Sequence, residues 1–475
     1  MRVSDPRDER IRQLEQRVQH LEEQLAVALA ALGEMATLRK ENEELKEKLR
    51  ASSQNSSKPP SSDPPTITRE PKKPTGRKPG GQPGHKRHQR ELFPPEKVRN
   101  VTECRPTHCH DCRRRLHGAD PNPRRHQVAD LPKVEPIVDE YRLHTLTCSC
   151  GATTSGELPK GVPTGAFGPR VVATITTLLG VYGLSRRDVA ELLGDAFGFP
   201  ISVGGVVGCQ KIGASSLAAP HAEAQAEVPK APVKNADETG WQVGNLYACL
   251  WTVVTPTVTL FRIQRERSRD AARNVLGKPH GLLGSDRYSV YDHWPKRFRQ
   301  FCWAHLARLF VRFSERSDPK SARLGVALTL AKDEIFTLWH RVRDGTLARS
   351  TFQRHMAPLR RRILDLLEDG ARASRCDKTQ RTCARLLKHF RSLWTFVDHD
   401  GIEPTNNVAE QAIRRAVILR KTSFGSQSDH GCRFLERVLT VHATLRKRGA
   451  LVHDFIVAAC RAHMLGSRGP SLLGA

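Results

Sequence analysis

A chain of 475 residues is too long for one hydrophobic core and predicts several units. Its net charge of +27 and pI near 10.1 are extreme for a globular enzyme and point to a polyanionic partner. The apolar stretch Val171 to Leu184 is too short and too rich in Thr to span a bilayer, and the charged N-terminus carries no signal-peptide pattern, so membrane and exported classes are set aside and a cytoplasmic protein is expected.

Residues 8–50 predict a coiled coil. Ile11, Leu14, Val18, Leu21, Leu25, Ala28, Leu32 and Met35 alternate three and four apart. The register then slips by three and resumes through Leu38, Asn42, Leu45 and Leu49. Asn42 at an a-type position would fix register at some cost in stability, so a homo-oligomer zippered here is expected. Residues 51–97 read as a Pro-rich basic linker. From Lys58 to Arg90, eight prolines and nine Lys/Arg stand against two acids, a composition that stays extended and suits phosphate contact.

Residues 98–160 predict a zinc-binding unit. Five of the twelve cysteines cluster between Cys104 and Cys150, which fits metal binding in a reducing compartment better than disulfides. Cys109 and Cys112 form a Cys-x-x-Cys knuckle, and Cys148 and Cys150 follow 35 residues later as a closer pair. These four are the preferred ligands of a structural Zn²⁺, with Cys104, His108 and His110 as substitutes. Four closed ligands leave no position for chemistry. Between the pairs, Val134 to Leu143 reads as a strand. Residues 161–228 predict three helices in a helix-turn-helix-like rhythm, open to DNA binding or to plain packing. Gly204, Gly205 and Gly208 weaken the third of them, at nearly 1 kcal/mol each.

From Val233 the texture changes. A short strand ends at Asp237, Gly240 marks a turn, and Leu246–Val254 and Val258–Ile263 follow as a meander. Gly281 to Ser285 brings Asp286 to the end of a further apolar run. This pattern predicts a mixed α/β sheet with helices on its faces. Between Asp286 and Glu410 lie 123 residues, in which apolar periodicity predicts a helical insertion at about 314–400. Cys302 and His305 there, a lone pair, read as core packing. Ile402 to Lys421 then reads as a helix after the start signals Pro404 and Thr405, with Val408, Ala409, Ala412, Ile413 and Ala416 on one stripe and Glu410 just off its edge. The tail from 431 to 475 predicts closing helices.

Asp237, Asp286 and Glu410 could converge on hard divalent cations, because Mg²⁺ takes carboxylate oxygens and keeps open positions for water and phosphate. Arg414, Arg415, Arg420 and Lys421 follow on the same helix as DNA-binding cations. The ordered set of Asp237-Glu-Thr, Ser285-Asp286-Arg-Tyr, Cys302-Trp-Ala-His305 and Asn406-Asn407-Val-Ala-Glu410, behind zipper, linker and knuckle, resembles the insertion-sequence transposases of the IS sixty-six type over nearly the whole chain. One departure is the short Cys148-Ser-Cys150 spacing.

The resemblance implies a DDE catalytic domain at 229–430 with an RNase H-like core. It implies Asp237, Asp286 and Glu410 as a triad binding Mg²⁺ (or Mn²⁺), with Glu403 a loop-bound rival for the third acid. It also implies cleavage at element ends and joining of the 3′-hydroxyl to target DNA, with room for accessory proteins. A non-catalytic zinc-containing DNA-binding regulator and an RNase H-like nuclease without strand transfer are the alternatives.

Overall fold

The computed structural model describes residues 6–53, 55 and 91–474. Most of the linker expected at 51–97 lies outside them. The described residues fall into two compact units. The larger takes those within Met1–Pro64, Tyr141–Ala190 and Ser202–Ala475, and the smaller those within Pro65–Glu140 and Glu191–Ile201. No helix among the described residues is long and apolar enough to cross a membrane.

In the larger unit, α1 (Pro6–Arg50) is one unbroken helix of 45 residues. Leu14, Val18, Leu21, Leu25, Leu32, Met35, Leu38, Leu45 and Leu49 all lie exposed along it. A two-stranded hairpin, β1 (Thr145–Thr147) with β2 (Thr153–Ser155), carries Cys148 and Cys150 at its tip. The strand expected over 134–143 does not form. In the smaller unit Val134, Ile137 and Val138 are exposed, and Pro136 cannot donate to a ladder, so nothing rewards pairing there.

Four helices follow: α2 (Pro169–Thr177), α3 (Arg186–Phe197), α4 (Val203–Ser216) and α5 (Ala218–Glu227). The glycine-rich start of α4 is capped by Ser202, whose Oγ accepts from the Gly205 N–H at 3.1 Å. Helices α2 and α4 pack on each other, burying Val172, Ile175, Val206 and Cys209.

The sheet comprises β3 (Val233–Val243), β4 (Leu246–Val254), β5 (Thr259–Gln264), β6 (Leu282–Ser285) and β7 (Arg299–Phe301), with α6 (Arg269–Leu276) between β5 and β6. Its order is β5-β4-β3-β6-β7. The first three strands are an antiparallel meander, while β6 runs parallel to β3 and β7 parallel to β6. The expected turn at Gly240 is corrected: β3 runs straight through Asp237 and Gly240, and the chain turns at Gly244 (φ 59°) instead.

Beyond the sheet come α7 (Trp303–Ser314), α8 (Pro319–Arg343), α9 (Arg349–Ala373), α10 (Asp377–Lys388) and the short α11 (Thr395–Asp398). Their core is aromatic. Trp303 meets Trp394 at 5.5 Å and Phe396 at 6.4 Å, edge to face. Helix α8 crosses α7 at Gly325, where an added Cβ would stand 2.3 Å from the Ser314 backbone N and 2.6 Å from the Phe310 carbonyl O. Both are backbone atoms and cannot swing away. Gly325→Ala should therefore lower stability by about 1–3 kcal/mol through overpacking, outweighing the roughly 1 kcal/mol Ala gains as a helix former. A urea unfolding midpoint that rises would contradict this crossing.

The chain returns to the sheet through α12 (Asn407–Ser423) and closes with α13 (Asp429–Lys447) and α14 (Val452–Met464), which also packs on α2 and α4. Helix α12 buries Ala409, and packs Ile413, Ala416 and Leu419 against Trp241, Val243, Leu250 and Phe261. Val408, expected on that stripe, is exposed because the buried face is centred nearer Ile413. After the helix, Gly425 (φ 113°) lies against the Gln242 carbonyl, and Ser426 exchanges backbone hydrogen bonds with Gln242 and Gly244. Both ends of α12 are thus fastened to β3.

Candidate active site

Side chains alternate along β3, which decides what faces what. Trp241 and Val243 pack under α12, so the residues in phase with them, Asn235, Asp237 and Thr239, belong to the same face. Thr239 confirms the phase, its Oγ1 accepting from Arg420 Nη1 of α12 at 2.9 Å. The opposite phase carries Lys234, Ala236 and Glu238, all buried. Strand β6 pairs with β3 as Val233↔Leu282, Lys234↔Leu283 and Asn235↔Gly284. Carrying that register on by two positions sets Asp286, just past the end of β6, beside Asp237.

The loop at Asp286 is tightly held. Its Oδ1 accepts the Tyr288 N–H at 2.8 Å, an Asx turn. Its carbonyl accepts from Arg299 Nη2 at 2.9 Å. Arg299 is fully buried and also donates to Ser285 Oγ (3.1 Å), Tyr288 O (3.0 Å) and Asp292 Oδ1 (2.7 Å).

Glu410 stands on the first turn of α12, and Asn406 sets that turn. The Asn406 amide Nδ2 donates to the Ala236 carbonyl at 2.7 Å, its backbone N–H to Cys302 Sγ at 3.2 Å, and its carbonyl accepts the Glu410 N–H at 3.1 Å. One buried residue, through its side-chain amide and its backbone, so joins β3, the β7–α7 junction and α12. Glu403 is placed elsewhere: its Oε2 accepts from Trp339 Nε1 at 3.2 Å, within the helical unit.

The three carboxylates share one electrostatic neighbourhood. Burial pushes the Asp237 pKa well above the usual carboxylate range, and the charges of Glu238, Glu410 and Asp286 add to it. Glu238, on the other face of β3, is raised by burial and by Asp286. This holds although its Oε1 accepts from Arg267 Nη2 at 2.6 Å and its Oε2 accepts the Tyr291 hydroxyl.

The tightest group at the site is a different one. Cys302 Sγ lies 3.8 Å and His305 Nδ1 3.5 Å from Glu410 Oε1. The three ligand atoms fall within 4.8 Å of one another, and among the described residues no other trio of Cys, His, Asp or Glu does so. Asp237 and Asp286 reach Glu410 through their charges, outside that trio. Burial raises the Cys302 thiol to about 11 and lowers the His305 imidazole, so both are neutral near pH 7.

Cys302 is buried, as core packing predicts, and folding also brings Glu410, 108 positions away, beside it. Glu238, Asn406 and Arg299 were missed as site residues. A polar run at the end of an apolar strand was the only available signal.

Of the four cations expected to meet DNA, Arg414, Arg415 and Lys421 are exposed and Arg420 is half-buried. Arg415 Nη1 donates to the Val181 carbonyl at 2.7 Å, and Arg420 Nη1 to the Gly240 carbonyl at 2.5 Å, so these two also serve the fold.

The zinc candidates sit on tight turns. The Cys109 N–H donates to the Arg114 carbonyl at 2.8 Å, and the Cys109 thiol pKa is lowered by hydrogen bonds from the Cys112 and Asp111 backbone and from the Cys112 side chain. The Cys148 thiol is lowered likewise, by the backbone and side chain of Cys150 and by Ser149.

A family model described as Transposase IS66 family matches residues 164–433, more than half of the chain. A second model, of a family of unknown function, matches residues 4–91. An uncharacterized protein of Sinorhizobium fredii is 26% identical over 215 residues, 42% of this chain and 39% of the relative, so the chain spans well under half of that protein's length.

Proposed function

The chain belongs to the Transposase IS66 family, and from that premise we propose that it cuts DNA at the ends of a mobile element and joins the freed 3′-hydroxyl to target DNA. One observation carries the reading: a half-buried Asp237 within the fields of Asp286 and Glu410, three acids delivered by a strand, a strand end and a helix. The sheet order, an antiparallel meander extended by two parallel strands, supports an RNase H-like core.

The donor set fits a hard cation. A carboxyl held among three other acids is short of positive charge, and carboxylate oxygens suit Mg²⁺ or Mn²⁺. Asp237, Asp286 and Glu410 would hold it, and when bound it makes the attacking oxygen more acidic and offsets charge on the leaving one. The protein's own part is positional. Asn406 fixes Glu410 relative to β3, the Tyr288 N–H fixes Asp286, and β3 holds Asp237 half-buried between them. Arg414 and Lys421 are placed to meet phosphates, and the basic segment 58–90 adds sequence-independent affinity. The exposed apolar seam of α1 supports pairing of two copies so that two ends are held at once. The tight turns at Cys109–Cys112 and at Cys148–Cys150 and the lowered Cys109 and Cys148 thiols favour zinc at each pair, taken by itself.

The test is a strand-specific assay with Mg²⁺ on labelled duplex carrying an element end. The wild-type chain should nick the end and join it to a target. Asp286→Ala should bind the same duplex and leave it uncut. Cutting without joining would reduce the protein to a nuclease, and binding without metal-dependent cutting to a DNA-binding regulator.

A further inference from the structure

We propose that Cys302, His305 and Glu410 form a second metal site, selective for a borderline transition ion of the zinc class, that shares Glu410 with the carboxylate triad. The binding claim stands on geometry; only its consequence for cleavage rests on the function proposed above.

Tetrahedral zinc with bonds of about 2.0–2.1 Å to imidazole nitrogen, about 2.1 Å to carboxylate oxygen and about 2.3 Å to sulfur sets nitrogen and oxygen roughly 3.4 Å apart, and sulfur and oxygen roughly 3.6 Å apart. The corresponding separations here are 3.5 Å for His305 Nδ1 to Glu410 Oε1 and 3.8 Å for Cys302 Sγ to the same oxygen. The trio therefore spans two edges of a coordination tetrahedron to within a few tenths of an ångström. A hydrogen-bonded trio would show a satisfied imidazole, yet the buried His305 Nδ1 has no hydrogen-bond partner.

Two rigid helices hold the donors. Cys302 caps α7, His305 sits one turn into it, and Glu410 is on the first turn of α12. The Asn406 N–H bonded to Cys302 Sγ fixes the sulfur, as outer-shell donors do in metal sites. Sulfur and nitrogen donors disfavour Mg²⁺ and favour zinc-like ions, so the donor set separates two classes of ion across one shared carboxylate. Binding replaces the Cys302 S–H proton with the metal and releases it to solvent. Three protein ligands leave the fourth position open. An ion seated here holds Glu410 away from Asp237 and Asp286, so zinc inhibits Mg²⁺-supported cleavage.

The probe is Co²⁺ added to the metal-free full-length chain, read as the difference between wild type and Cys302→Ser. The wild-type protein should take up one Co²⁺ more than Cys302→Ser, and the difference should show a thiolate-to-cobalt charge-transfer band. His305→Gln, a partly exposed position, should keep the thiol but weaken Co²⁺ affinity by about tenfold or more. Identical Co²⁺ uptake and spectra in wild type and Cys302→Ser would mean a hydrogen-bonded trio only. Should Cys302→Ser not fold, unchanged affinity in His305→Gln overturns the site equally. In a second arm, Zn²⁺ inhibition of nicking is measured for each protein against its own zinc-free rate, and inhibition of His305→Gln equal to that of wild type would remove the regulatory consequence. A cobalt difference band without any cleavage would refute the strand-transfer reading and leave the metal site. Cleavage without the band would do the reverse.

Discussion

Asp237→Asn should abolish Mg²⁺-dependent end cleavage and, in chelator, leave a protein more stable than wild type. The two effects have one cause. Burial and the charges of Glu238, Glu410 and Asp286 raise the Asp237 pKa far above its unfolded value. A carboxyl raised in this way contributes stability only below its unfolded pKa, and that contribution is lost as pH rises through the folded value. Near neutral pH the wild-type protein without a cation therefore carries an electrostatic cost that the neutral amide of Asn removes. Each kcal/mol of relief raises Tm by about 2–4 °C in a domain of this size.

The same amide is a poor anchor for a hard cation. Cleavage should fall by about 10³-fold, the order of several kcal/mol of metal-derived transition-state stabilisation. Added Mg²⁺ should raise the Tm of wild type and leave that of the variant unmoved, since only binding to the folded state stabilises. A variant that nicks near the wild-type rate, or that gains the full Mg²⁺ shift, would show that Asp237 is an isolated acid with no part in metal binding.

How much of this could be read from the chain depends on how local each signal is. The meander β4–β5 and the helix α12 follow from periodicity over contiguous residues, and Asp286 at the end of an apolar run could be read at the strand end. Gly240 misled for a tertiary reason. It sits inside β3 in extended backbone, where the ladder to Cys249 of β4 overrides the turn preference of glycine. The segment 134–143 has strand composition but no neighbouring strand to pair with. That Cys302 and His305 stand beside Glu410 was not legible, because folding alone brings Glu410 to them. The fold class was legible from alternation and length. The contact between α7 and α12 was not, because no pattern in either helix specifies the other.

Arg299 was the least legible residue, and its removal should be among the most damaging changes. It lies within a three-residue strand, and two of its four acceptors are backbone carbonyls, which no sequence pattern announces. The guanidinium is 1% exposed and donates to Ser285 Oγ, to the Asp286 and Tyr288 carbonyls and to Asp292 Oδ1. Arg299→Met would fill much of the volume but leave those acceptors buried and Asp292 without its closest cation. Breaking a buried ion pair from one side costs about 3–5 kcal/mol, because the remaining group keeps its desolvation penalty. Arg385 Nη2, 3.2 Å from Asp292 Oδ2, softens the loss, so the lower half of that range is expected in urea unfolding.

Arg299→Lys should recover part of the stability but little of the cleavage, since an ammonium supplies charge without the planar fork that reaches both sides of the Asp286 loop. A lysine variant cutting at the wild-type rate would mean that the Asp286 loop is positioned by the Tyr288 N–H alone, and Arg299 would then act only on stability.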